Sequence, residues 1–120
     1  MKALILHGFT GSLDTVSILR LPLENRGVKV SIPVLRGHSS TPEDLYAVHW
    51  RDWVADAREA LQRLAPSDEP VVVAGLSMGA LIGCHLAAEF PHKIQRLAML
   101  APALAFRSKL LHALPILRRV

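Results

Sequence analysis

The periods of apolar and polar positions switch along the chain, and the switches set out the elements. Ala3-Leu4-Ile5-Leu6 is an unbroken apolar run and reads as a buried strand. A helix is expected next, capped by Ser12 or Asp14, running to Arg26 and stopped by Gly27; Pro22 inside it predicts a kink or a shortening. Val28 to Val34 reads as a second strand ending near Pro33, and Leu35 to Glu43 as a loop rich in Gly, Ser and Pro. Trp50, Trp53, Val54, Ala57, Leu61 and Leu64 then recur at helical spacing with charged residues between them, which predicts an amphipathic helix ended by Pro66. Val71 to Ala74, bounded by Pro70, is too short for a helix and reads as a third strand. Ala80 to Phe90 is apolar nearly all round, with small residues at Gly79, Ala80, Gly83 and Ala87, so a buried helix is expected, closed by Pro91. Ile94 to Leu100 is a fourth strand, left through Ala101-Pro102-Ala103. Strands alternating with helices imply an α/β fold: a parallel sheet, right-handed crossovers and helices on both faces.

Composition narrows the class. The chain has 120 residues, 51% hydrophobic and 20% charged, which suits one globular domain with a core of its own. The net charge of +4 gathers late, in Lys93, Arg96, Arg107, Lys109, Arg118 and Arg119. With few aromatics and no basic repeat, nucleic acid is not an expected partner. The only cysteine, Cys84, excludes an internal disulfide and fits a reducing compartment. The run Ala3 to Leu6 is too short for a signal sequence, and no stretch is long enough for stable membrane insertion, so a cytoplasmic location is expected. No spacing of His, Cys or carboxylates suggests a metal site, and no cofactor is expected.

The chemistry gathers at Gly75-Leu76-Ser77-Met78-Gly79. G-x-S-x-G between a strand and a helix is the context of a nucleophile elbow. Such a turn holds its serine in a strained conformation that lifts the hydroxyl clear of the sheet. Side chains two positions to either side would collide with the neighbouring strand or helix, so Gly75 and Gly79 suit those places. Amides at the start of the new helix face the space above Ser77, where negative charge would develop.

With His7-Gly8-Phe9 after the first strand, the chain resembles the α/β-hydrolase family. It is most similar to carboxylesterases and monoacylglycerol lipases with a short cap, hydrolases of the serine aminopeptidase type. The loop His7 to Ser12, Arg36-Gly37-His38, the helix start Trp50-Arg51-Asp52-Trp53 and the exit Ala101-Pro102-Ala103 fit that pattern. The resemblance implies that Ser77 is the nucleophile and that the backbone N–H groups of Phe9 and Met78 form the oxyanion hole. It also implies a small-molecule ester substrate, and that the first and third strands are neighbours. Their loops then meet at the sheet's switch point, where open α/β folds bind ligands. The family's acid and histidine follow the nucleophile. Here no acidic residue follows Glu89, His85 lies along the helix that starts at the elbow, His92 at its far end, and His112 has no acid near it. The expectation is therefore a partial fold lacking its C-terminal half. Residues 1–103 form the N-terminal half of the core, and 104–120 the start of a cap or a tail. The fourth strand would be an open apolar edge inviting pairing with another chain.

Single residues receive plainer readings beside these. His7 reads as stabilising its loop and His38 as a hydrogen-bonding structural histidine. Trp50 and Trp53 read as core or helix–sheet packing rather than an acyl-pocket lining, whereas the Phe9 ring is a candidate border of such a pocket. Asp52 and Asp56 read as a solvated helix face, and Cys84 as a small buried packer. Two functions compete: a serine hydrolase forming an acyl-enzyme on Ser77, and an inactive partial hydrolase acting through association. A dinucleotide-binding fold fails, because neither glycine loop matches G-x-G-x-x-G and no acidic residue ends the second strand.

Overall fold

The structure is a computed structural model that describes residues 1–9, 13–38 and 41–104. The expected loop residues Thr10 to Ser12 and nearly all of the expected cap segment lie outside the described residues. Four strands, β1 (Lys2–Leu6), β2 (Lys29–Ser31), β3 (Val71–Leu76) and β4 (Ile94–Leu100), form one parallel sheet in the order β2-β1-β3-β4. The chain leaves β1 for β2 on one side and returns past it to β3 on the other. The switch point therefore falls between β1 and β3, which pair in register from Lys2↔Val71 to Leu6↔Gly75.

The helices are α1 (Asp14–Ser17), α2 (Arg20–Glu24), α3 (Trp50–Leu64) and α4 (Met78–Glu89). Side chains alternate across a strand, and the core divides accordingly. Leu4, Leu6, Val71 and Val73 pack against Val54, Ala57, Leu61 and Leu64 of α3 and Ile82 and Leu86 of α4. Ala3 and Ile5, on the other face of β1, are buried outside that cluster, as are Val16 of α1 and Val28. On this second face only part of the sheet is covered: Val72, Ala74 and Leu76 of β3 remain half-exposed.

Four expectations are corrected. The single helix to Arg26 is two short ones separated at Ile18 and Leu19, so the break falls before Pro22; the proline is accommodated as the third residue of α2, within the first turn, where a missing N–H costs no helical bond. β2 ends at Ser31, short of Val34. The expected loop to Glu43 gives way at its end to a 3-10 turn, Pro42–Leu45, before which the Thr41 amide donates to the Asp44 carboxylate at 3.1 Å. β3 runs on through Gly75 and Leu76, so the bend begins directly at its last residue.

α3 matches its pattern. The amide of His49 donates to Asp52 Oδ2 at 2.8 Å at its N-terminus, and Ala65, before Pro66, leaves the helical region at its C-terminus. α4 departs from its pattern. Gly79, Ala80, Ile82, Gly83 and Leu86 are buried, but Leu81 and Cys84 are half-exposed and His85 is exposed. Its small residues set the distance to the sheet: a Cβ at Gly83 would lie 2.9 Å from Leu97 Cδ1.

Candidate active site

The bend after β3 carries the strain that its sequence predicts. Ser77 has φ 52° and ψ −113°, a left-handed region costly for a residue with a Cβ. Its neighbours hold it there. The Ser77 amide donates to the carbonyl of Leu100 at 2.9 Å, continuing the β3–β4 ladder one residue past the strand, and its carbonyl accepts from Ala80 N–H at 3.1 Å. Both glycines are sterically required. A Cβ at Gly75 would overlap the Gly79 carbonyl and stand 2.5 Å from the Ala80 nitrogen. A Cβ at Gly79 would overlap the Leu6 carbonyl oxygen and stand 2.6 Å from that of His7. Backbone atoms are the obstacle in each case, so no rotamer change relieves it.

The loop after β1 closes on this bend. A Cβ at Gly8 would lie 3.4 Å from both the Ser77 Cβ and the Leu76 carbonyl oxygen, so the Gly8–Phe9 peptide follows directly on a contact with the serine. Met78 is the first residue of α4, and its amide has no carbonyl one turn back to bond. Ser77 is half-buried, and the Phe9 side chain is 53% exposed.

His7 fixes the loop. It is fully buried, its Nδ1 donates to the Gly8 carbonyl at 2.9 Å, and its Nε2 accepts the Leu35 amide at 3.0 Å. The ring thus joins the loops that leave β1 and β2, the stabilising role expected of it. Burial pushes its pKa below the ordinary histidine value, and the neighbouring His38 lowers it further, against the Gly8 carbonyl bond that raises it. With both nitrogens engaged, His7 has no lone pair left to act as a base.

Around it stands an aromatic cluster that the sequence did not announce. His38 meets His7 edge-on with ring centroids 4.9 Å apart, Phe9 at 5.9 Å and Trp53 at 5.4 Å; Phe9 and Trp53 meet at 5.8 Å. His38 Nδ1 reaches the Leu35 and Arg36 carbonyls at 3.2 and 3.3 Å, as a structural histidine should. Its Nε2 is buried with no hydrogen-bond partner among the described residues.

The readings of four side chains change. Asp52 and Asp56 are not simply solvated: Arg36 reaches Asp52 Oδ1 at 3.3 Å and Asp56 Oδ1 at 2.6 Å, and its amide donates to Asp56 Oδ2 at 2.8 Å. They clasp the loop after β2 to α3, and Trp53 Nε1 adds a bond to the Arg36 carbonyl at 2.9 Å. Trp50 is not core; it is 51% exposed, with the Arg51 guanidinium 4.7 Å from its ring centroid and His85 edge-on at 5.9 Å. Cys84 is half-buried, its Sγ 3.5 Å from Met99 Sδ.

Trp53 packs against the core cluster as expected, and together with Trp50 it walls an apolar trough of about 270 Å³ between α3 and α4, with Met78, Leu81, Ile82 and His85 opposite. Sequence reasoning missed Leu81 and His85 as site candidates. The signal was present in the spacing of Met78, Leu81 and His85, which places them on one side of α4, away from Gly79 and Gly83. Among the described residues, no three His, Cys, Asp or Glu side chains converge as a metal site, and no helix is long and apolar enough to cross a membrane.

A family profile described as serine aminopeptidase, S33, matches residues 2–120. The thermostable monoacylglycerol lipase of Bacillus sp. (strain H-257) is 34% identical over 88 residues, 73% of this chain and 35% of the relative. The carboxylesterase of Bacillus subtilis (strain 168) is 32% identical over 91 residues, 75% of this chain and 37% of the relative. Among solved structures, one from the metagenome-derived lipolytic enzymes LipS and LipT superimposes with a TM-score of 0.87 and 33% identity, over 94% of this chain and 46% of that one. The chain thus spans about a third of the length of the curated relatives it matches.

Proposed function

The chain belongs to the serine aminopeptidase S33 family of α/β-hydrolases and is lipase- and esterase-like; from this premise we propose that it carries the nucleophile of a serine hydrolase acting on small carboxylic esters. The observation that carries the reading is the backbone of Ser77: a non-glycine residue in the left-handed region, between two glycines that backbone atoms enforce, at the sheet's switch point. Structures tolerate such strain where it positions a group for chemistry.

In the proposed reaction Ser77 Oγ attacks the ester carbonyl, and its proton passes to a base. The carbonyl oxygen takes up the negative charge and is held by the amides of Phe9 and Met78. Collapse expels the alcohol, which takes the proton, and water then releases the acyl group from Ser77. Each oxyanion donor is worth about 3–4 kcal/mol of barrier. The base and its orienting acid come from outside this sequence, in a longer chain or a second one. His7 has both nitrogens engaged, and His85 meets Trp50 edge-on with its Nε2 3.9 Å from Glu89. The lone cysteine supports a cytoplasmic location. The test is p-nitrophenyl butyrate turnover by the complete protein with and without Ser77→Ala. A fall on the order of 10⁴–10⁶-fold is expected, and equal rates remove Ser77 from the mechanism.

A second reading rests on β4. In the described sheet it has a neighbour only in β3, and of its residues only Ile94 is buried. An apolar strand edge of this kind pairs with other chains. On this reading the 120-residue chain is an inactive hydrolase half that acts by association. Size-exclusion chromatography distinguishes the two: concentration-dependent dimers without turnover support association, and a monomer that sustains ester turnover sinks it.

A further inference from the structure

We infer that the trough between α3 and α4 seats the acyl chain of the substrate, and that this chain is of medium length, about eight to ten carbons. The inference rests on the ester-hydrolase reading and adds to it a direction and a length for the acyl group. The trough begins where the chemistry is proposed to occur. Met78, one of its walls, directly follows Ser77, and Trp53, another, has its ring 5.8 Å from that of Phe9. Of the two residues whose amides would hold the oxyanion, Met78 is itself a wall and Phe9 borders a wall through Trp53, so an ester carbonyl placed at Ser77 has its acyl carbons directed between the two helices.

The trough also has an end. His85 lies seven positions after Met78, a rise of about 10 Å along α4. There the His85 ring meets Trp50 edge-on, and the Arg51 guanidinium lies over the Trp50 ring. Arg51 has no carboxylate partner in an ion pair among the described residues, so its charge stays on the aromatic stop. The volume agrees with the length. A dry cavity of about 150 Å³ binds a six-carbon ring, and 270 Å³ scales to about ten carbons. The walls are chemically fit for this occupant, since Leu81, Ile82, Met78 and Val54 offer hydrocarbon and Trp50 and Trp53 offer ring faces. A floppy thioether such as that of Met78 tolerates chains of differing shape.

The chain's two tryptophans both wall the trough, so intrinsic fluorescence reports its occupancy directly. The 120-residue chain is titrated with decanoate below its micellar concentration, with acetate as the short control. Decanoate is expected to give a saturable shift in tryptophan emission and acetate none. Leu81→Asp, at a half-exposed position, is expected to weaken decanoate at least tenfold, with circular dichroism confirming an unchanged fold. Leu21→Asp, an exposed leucine elsewhere, is expected to leave it unchanged. Absence of a saturable shift, or equal binding by Leu81→Asp, overturns the inference. So does a shift that depends on protein concentration alone and accompanies dimers, which assigns the trough to a second copy. The parent reading fails separately: Ser77→Ala is expected to bind decanoate like wild type, so loss of the hydrolase reading shows in turnover and loss of the acyl trough in fluorescence.

Discussion

β3 has two neighbours built from similar material and treated oppositely. β1 and β4 both draw on Leu, Ile and Ala, both run parallel to β3, and both end beside the bend. On the β1 side Ala3, Leu4, Ile5 and Leu6 are all buried, the following loop is pinned by His7, and Gly79 of α4 rests on the Leu6 and His7 carbonyls. On the β4 side only Ile94 is buried, and Met99 and Leu100 are 38% and 45% exposed. An apolar strand is therefore not a core strand by composition; neighbours on both edges and both faces make it one. The proposed chemistry sits on the closed side, where backbone atoms cannot yield. Among the described residues, the open side meets it through the hydrogen bond that the Ser77 amide donates to the Leu100 carbonyl.

The largest expected effect tests the closed side directly. On an exposed helix Gly→Ala gains about 1 kcal/mol. Gly79→Ala should reverse that sign and cost more than about 4 kcal/mol or prevent folding, because the new methyl meets backbone oxygens from the end of β1. Chemical denaturation measures it. A stabilised variant would mean that the loop and the helix are not in contact. Leu4→Ala comes next, at about 3 kcal/mol, for truncation of a fully buried β1 side chain in the core cluster shared with α3 and α4.

How far the sequence reached follows the same division. Ser77, Gly75 and Gly79 were legible because a bend this tight admits few residues, and the backbone requirement maps one-to-one onto residue type. The parallel sheet was legible because alternation of strand and helix leaves few topologies, whereas the pairing of β1 with β3 was implied only by the family resemblance. The trough was not legible. Helical periodicity marks Trp50 and Trp53 as apolar positions, but it cannot tell a side chain facing the sheet from one facing the neighbouring helix across a gap. The uniform apolarity of α4 likewise predicts burial on every side, and the structure buries one. The Arg36 clasp was hidden for another reason: its partners Asp52 and Asp56 lie sixteen and twenty residues away, and charges on a helix face carry no mark of being paired.

The pH dependence sharpens the comparison from the site itself. His7 has a folded-state pKa below its unfolded value, so between the two the unfolded chain binds more protons, and stability rises with pH. The contribution is complete above about pH 6.5 and is lost as pH falls toward the lowered value. Protonation would place a proton on Nε2, which accepts the Leu35 amide. The melting temperature is therefore expected to fall between pH 7.5 and pH 5.5, with a shallower slope in His7→Gln. Glu69 and Glu89, held below the usual carboxylate value by Lys2 and Arg58, titrate under that window and do not contribute to it. A slope unchanged by His7→Gln would detach His7 from the pH dependence of stability.

The smallest effect is the one that can overturn the comparison. Leu100→Lys replaces an exposed apolar side chain on β4 while keeping the backbone carbonyl that receives the Ser77 amide. If β4 is an open edge in solution, the substitution exposes no new apolar surface and breaks no packing, and the stability change stays within about 0.5 kcal/mol. A lysine at the edge also discourages pairing of strands between chains. The variant should therefore elute as a monomer at concentrations where the parent chain associates. The decisive outcome is a cost that approaches that of Leu4→Ala. It would show that Leu100 is buried in solution by a second molecule, and that β1 and β4 are equally core once the assembly forms. Repeating the denaturation at several protein concentrations separates the cases, since only stability drawn from association changes with concentration.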